Sequence, residues 1–427
     1  ATLTLRSDGF ALGNVTATFG DLKLGTFLTL ATPSLVLSNI SLSQASVAGT
    51  LSISTASGTL YPNQPALTAT LGAITGSYSL PSGTFNLGAA SLVLVAGEAF
   101  KISTGALTLA YNPTGAAAQT MASFNATVTA PKIANLGTAT IANLALRTDG
   151  VDFGSFALAQ NAGQTATIGS AFAFAGAALT ATNFAFHFGS TPTFTGTVAF
   201  GAATATLYPG HAALRTTLTG FRGTYDFGSS GALTLTVDTL AFRVGEALDL
   251  TASNVSFAPY ATGTLTTLAS ATATAPLLTN MGTATLANVA LRTDGVTFGS
   301  FALTQLPGAP GATARIGTLF AFTGTTISVN ALEFAFGPAP AFSGTIALSV
   351  GTAALFSDFS AFGVMLSSFS GAYDLAVDGA LVVQLSTLNL RIGDAVAVTA
   401  SNITLRPHAA TVATIGSATV SSGLVTG

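Results

Sequence analysis

The chain has neither cysteine nor tryptophan in its 427 residues. Without cysteine there are no disulfides, thiol nucleophiles or thiolate metal sites, so packing alone must hold the fold. Charge is nearly missing as well: Asp, Glu, Lys and Arg make up 6% of the residues, against about 25% in ordinary soluble domains. Twelve Lys and Arg and a net charge of −3 provide no basic footprint for nucleic acid. Between Asp152 and Arg215 no charged side chain of these four types occurs. A surface that neutral has nothing to repel a neighbour and tends to associate. Long apolar runs are lacking too. Mean hydropathy is +0.63, yet no stretch reaches the roughly 18 apolar residues of a membrane-spanning helix. Thr, Ser and Gly interrupt the apolar residues at every second or third position, and such alternation marks β-strands. No signal peptide opens the sequence, so an exported protein would be numbered from after processing or from within a longer precursor.

What the sequence does contain is repetition. "TLRSDGF" (4–10) returns as "ALRTDGV" at 145–151 and 290–296, which spaces Arg6, Arg147 and Arg292 by 141 and 145 residues. "TLYP" (59–62 and 206–209) has "ALFS" (354–357) as its third copy, and Tyr78, Tyr225 and Tyr373 mark a further position. "GEAFKISTGALTL", "GEALDLTASNVSF" and "GDAVAVTASNITL" begin at Gly97, Gly245 and Gly393. Markers in one order at one period define three repeat units: residues 1–141, 142–286 and 287–427, the last carrying the start of a further junction. The complete junction reads "LGTATIANLALRTDG" (136–150) and "MGTATLANVALRTDG" (281–295). Ala1 enters halfway through it, and "IGSATVSSGLVTG" (415–427) reads as its "GTAT" part without "LRTDG".

Within a unit the pattern predicts strands and no helices. Leu248 and Leu250, then Val255 and Phe257, sit at spacing two, so each pair faces one side of a strand. "TASN" between the pairs, like "STGA" between Ile102 and Leu107 in the first unit, is read as a turn. The fold expected is all-β: an elongated β-solenoid-like stack of three homologous units, since the alternation runs straight through the junctions without a linker. Tandem β-sandwich domains are the alternative. An outer-membrane barrel fits less well, because aromatic girdles and a charged lumen are missing.

In the recurring tetrad, Asp-Gly suits a tight turn, and Arg6/Asp8, Arg147/Asp149 and Arg292/Asp294 stand two residues apart. Beyond an ordinary exposed ion pair, these six residues are candidates for a clamp fixing register between units, because a one-residue slip reverses the faces of a strand. The acidic turns Gly97-Glu98, Gly245-Glu246 and Gly393-Asp394 are too isolated for a calcium site. His187, His211 and His408 occupy non-equivalent positions, and no paired carboxylates or phosphate loop appear. No catalytic residue, metal ligand or cofactor is therefore assigned, and the expectation is a protein that is not an enzyme. Asn14, Asn39, Asn125, Asn254 and Asn402 lie in Asn-x-Ser/Thr, which chance accounts for in a chain so rich in Thr and Ser. Scattered Thr-x-Thr strings lack the strict rows an ice-binding face needs.

"GDAVAVTASNITLRP" (393–407) and "GEALDLTASNVSFAP" (245–259) resemble segments of long secreted bacterial β-repeat proteins of the adhesin or filamentous surface type. That resemblance implies an extracellular structural or adhesive role and supplies no binding residues. The expected partner is the protein itself, or other matrix and surface components. Thr2, Leu3, Thr4 and Leu5 of one molecule would pair with Ser417, Ala418, Thr419 and Val420 of another, joining copies head to tail into an open filament. In a longer array the same junction would be intramolecular. The alternative is a cell-surface adhesin or carbohydrate-binding stalk, with Tyr61, Tyr208 and Phe356 as candidate sugar platforms.

Overall fold

A computed structural model describes the chain except for residues 1, 44–45, 63, 65, 80–83, 113–117, 189–192, 212–213, 228–231, 309–312, 318–319, 337–340, 356–361, 375–379, 393–395, 407–412 and 423–427. No helix occurs among the described residues, and no helix is long and apolar enough to cross a membrane. The fold is all-β, built of large antiparallel sheets that do not close into a barrel. The chain divides into two compact units: residues 1–169, 174–204 and 222–235 in one, and residues 170–173, 205–221 and 236–427 in the other.

The first unit opens with the hairpin Leu3–Arg6/Gly9–Leu12, whose second strand pairs with Ser34–Ser43. Ser34–Ser43, Val47–Leu60, Leu67–Ser79 and Thr84–Ala96 then pair in succession. Phe100–Thr104 lies between Thr84–Ala96 and Thr120–Thr129. From there the ladder continues through Ala139–Arg147, Gly150–Ala159, Ala178–His187 and Thr193–Gly201. The sequence boundary at 141/142 thus falls inside one strand, Ala139–Arg147. The core crosses it too: Phe100 of the first repeat meets the rings of Phe153, Phe156 and Phe184 of the second at 5.1–5.7 Å between centroids. Phenylalanine, thirty copies of it, supplies the bulk that tryptophan would otherwise provide.

In the second unit Leu248–Phe257 pairs with Ala271–Thr274, and that strand with Ala284–Leu286. Thr264–Leu268 pairs with Val289–Arg292, which turns back into Gly295–Thr304 and on to Thr326–Ala335 and Ala341–Ser349. Phe362–Asp374, Ala380–Ile392, Val396–Leu405 and Ala413–Ser422 form a final four-strand ladder. The second repeat junction is therefore also a shared ladder.

One local expectation is corrected. "TASN" is not a turn between two strands: Leu248–Phe257 and Val396–Leu405 are each continuous. Asn254 and Asn402 take left-handed φ values of 54° and 55° inside them. Along Leu248–Phe257, residues 248, 250, 252, 255 and 257 are buried. The odd spacing therefore marks a local reversal of the pleat at the left-handed residue, after which the same face resumes, and no residue is inserted: beside Asn402, Ser401 still lies opposite Thr387 and Ser417, and Ile403 opposite Leu385 and Ile415. Asn39, Asn143 and Asn183 also take left-handed φ inside strands, each where the ladder register shifts, and Asn288 takes it between Ala284–Leu286 and Val289–Arg292; asparagine tolerates that region better than most side chains.

Candidate functional site

The features that distinguish this chain gather at the junction hairpins. In the first unit the strands Ala139–Arg147 and Gly150–Ala159 meet at Thr148-Asp149, with Arg147 opposite Gly150. The tip is tied on two sides by backbone: Thr148 N–H donates to the Gln119 carbonyl (2.9 Å), and Phe188 N–H to the Asp149 carbonyl (2.6 Å). The second junction repeats this. Thr293 N–H donates to the Gly263 carbonyl and Phe336 N–H to the Asp294 carbonyl, both at 2.7 Å.

The glycine of the tetrad is required by its neighbours in space. Gly150 lies at φ 157°, at the margin of extended backbone. A Cβ there would sit 1.9 Å from the Phe186 carbonyl oxygen; at Gly9 it would sit 1.7 Å from that of Leu42, and at Gly295 2.1 Å from that of Phe334. Glycine is required because a neighbouring backbone passes too close for any side chain.

Arg147 Nε donates to Asp149 Oδ1 at 2.9 Å, with Asp152 4.0 Å away and His187 3.5 Å beyond on the same carboxylate group. Arg292 grips Asp294 through two contacts, Nε–Oδ1 at 2.8 Å and Nη2–Oδ2 at 3.2 Å. The hydrogen bond from Arg292 holds the Asp294 carboxyl below its ordinary range, and Asp149 raises the Arg147 guanidinium in turn. Arg6 and Asp8 have no such pair among the described residues, and both are exposed. Each pair that forms lies within one hairpin. The arginine–aspartate contacts therefore stiffen a tip and do not themselves join two repeats.

Two tyrosines make that connection. Tyr61, in the first repeat, places its hydroxyl 2.7 Å from the Arg147 carbonyl and 2.6 Å from that of Gly150, both in the second. Tyr208, in the second, donates to the Arg292 carbonyl of the third at 2.9 Å. Both sit at left-handed φ, with rings 4.8 Å from Phe188 and 4.6 Å from Phe336 respectively. Burial is the main reason both hydroxyls titrate above the ordinary tyrosine value. These were the candidate sugar platforms; being 3% and 2% exposed, they offer no ring to a ligand. Phe356 lies outside the described residues. The signal for the bridge is in the sequence: a "TLYP" stands in each repeat that is followed by "LRTDG".

The remaining candidates are dispersed. His211 stacks on Phe336 at 4.1 Å, and burial lowers its pKa. Arg243 contacts the Gly245 carbonyl and Asp249, not the Glu246 carboxylate. His408 and Asp394 lie outside the described residues. Among the described residues no group of three or more His, Asp or Glu could hold a metal ion.

The first and last strands in the sequence differ from their counterparts. Leu3 and Leu5 are 61% and 77% exposed, whereas the equivalent Leu144, Leu146, Val289 and Leu291 are at most 1% exposed. At the other end Ala413–Ser422 is exposed throughout. Its Val420 is 67% exposed where the equivalent Val128 and Ala273 are fully buried, and Ile415 is 50% exposed against 8% for Leu268. Among the described pairings Leu3–Arg6 is bonded to Gly9–Leu12 alone and Ala413–Ser422 to Val396–Leu405 alone. Each presents an open backbone edge beside apolar side chains. No family model matches the chain, and no curated protein matches it either.

Proposed function

We propose that the chain is an extracellular structural protein whose copies join head to tail by strand pairing, forming filaments or a length of surface fibre. The observation that carries this reading is the contrast in burial just described. Side chains of one repeat position are buried where a neighbouring repeat covers them and exposed where none does. Burying a leucine or valine contributes roughly 1.5–3 kcal/mol, and an open strand edge templates further pairing. The nearly uncharged composition leaves little electrostatic repulsion to oppose association. A place outside the cell rests on the resemblance to secreted repeat proteins and fits a chain that needs no reducing compartment.

Electron microscopy of the purified chain, with sedimentation velocity, tests the reading. The full chain should form filaments with a regular axial repeat. Deleting Ala413–Gly427 should leave a β-rich circular dichroism spectrum and only single particles. Filaments that persist unchanged after that deletion would refute the mechanism.

A further inference from the structure

We infer that the outer edge of the Ala413–Ser422 strand receives the Leu3–Arg6 strand of a second copy in one register, set by the two junctions inside the chain. This rests on the head-to-tail reading and adds the alignment to it. The first step is to fix which internal strand Ala413–Ser422 corresponds to. Val398 pairs with Val420, as Leu250 pairs with Ala273 and Ile102 with Val128. Ala413–Ser422 therefore takes the place of Thr120–Thr129 and of the Thr264–Leu268 and Ala271–Thr274 pair. "GSATV" (416–420) corresponds to "ASATA" (269–273), and not to the "GTAT" of the junction, as the sequence alone suggested.

The second step reads off the partner. In the first junction Phe124 lies opposite Leu144 and Ser123 opposite Ala145. In the second, Leu268 lies opposite Val289, Thr267 opposite Ala290 and Thr266 opposite Leu291. Leu3, Thr4 and Leu5 correspond to Val289, Ala290 and Leu291, and Ile415, Thr414 and Ala413 to Leu268, Thr267 and Thr266. The register between copies is then Leu3 opposite Ile415, Thr4 opposite Thr414 and Leu5 opposite Ala413. Leu3 and Leu5, exposed in the single chain, enter positions that are buried inside it, and exposed Ile415 enters one that is buried at Leu268 and half-buried at Phe124. Ser417–Val420 do not face Thr2–Leu5 in this alignment. Internally, Ala271, Thr272 and Ala273 pair with Leu286, Thr285 and Ala284 of the "GTATL" half-strand. Ala418–Val420 thus occupy the positions that receive the "GTATL" half-strand inside the chain.

The lack of native cysteine makes the register directly readable by disulfide trapping. A Thr4→Cys copy is mixed with a Thr414→Cys copy, and a Leu3→Cys copy with an Ile415→Cys copy. Consecutive antiparallel pairs alternate between the wide and close spacing, so one of the two mixtures has the geometry a disulfide requires. A Leu3→Cys copy with a Val420→Cys copy is the out-of-register control. Mild oxidation should give covalent dimers in at least one in-register mixture and none in the control. Assemblies that sediment normally but trap equally well in the control, or in neither in-register mixture, overturn the register while leaving self-assembly standing. A chain that stays monomeric at every concentration sinks the head-to-tail reading and this inference together. A second variant with Gly-Thr-Ala-Thr-Leu placed before Ala1 should assemble at a several-fold lower concentration than the unextended chain, and an unchanged threshold contradicts the assignment of Ala418–Val420.

Discussion

At the scale of single residues, the hydroxyls of Tyr61 and Tyr208 do more than the charged tetrad that stands out in the sequence. Tyr208→Phe removes one hydrogen bond and leaves the Arg292 carbonyl short of a partner, so urea unfolding should show a loss of about 1 kcal/mol. Tyr61→Phe, with two carbonyls in reach, should lose about 1–3 kcal/mol. Breaking the Arg292–Asp294 pair should leave the unfolding midpoint unchanged, because both side chains are open to water and exposed pairs contribute little. The tyrosines also set an alkaline limit. Their folded pKa is raised, so the stability they supply is complete below the ordinary tyrosine value of about 10 and is lost as pH rises above it. Thermal melts should fall steeply above that pH, and less steeply in the Tyr61→Phe/Tyr208→Phe double variant. Buried Tyr373, whose hydroxyl has no hydrogen-bond partner and faces the Glu246 charge, should join them in resisting spectrophotometric titration until the chain unfolds. The arginine and aspartate were legible because charge is scarce. The tyrosine bridge was not, since nothing in "TLYP" says which backbone lies 86 positions away.

At the scale of the element, strand identity was plain from alternation, but the five-residue step from Leu250 to Val255 was misread. Period-two reasoning treats an odd step as a break in the strand. A single left-handed residue restores the same face with the strand and its pairing intact, and asparagine is its local mark. Asn254→Gly should therefore be nearly neutral, as glycine accepts the left-handed backbone without penalty. Asn254→Val should lose about 1–2 kcal/mol in denaturant unfolding. The tetrad glycine behaves differently. Gly150→Ala drives a methyl into the Phe186 carbonyl, and the resulting overpacking should destabilise the chain by about 1–3 kcal/mol. The sequence announces both kinds of position as turn residues; only the fold tells a left-handed strand position from a close approach of backbone.

At the scale of the whole molecule, the repeat was readable from four markers, and the missing linker foretold that strands would run through the junctions. The alignment at the ends was beyond reach, because "GSATV", "ASATA" and "GTAT" look alike in a chain made of Gly, Ala, Thr and Ser. Only the pairing of Val398 with Val420 separates them. With so few charges, association should respond to apolar burial and not to ionic screening. Light scattering should stay constant from low to about 1 M sodium chloride, rise with ammonium sulfate and weaken on cooling.

A boundary that falls in the middle of a strand has a consequence for how such a chain changes length. Inserting one more period at such a boundary splits one shared ladder and rebuilds two like it, so the inserted length leaves no unsatisfied rim of its own. Lengthening by duplication is then thermodynamically free of any new exposed face, whereas excising a lone period would leave both rims with almost no interior between them.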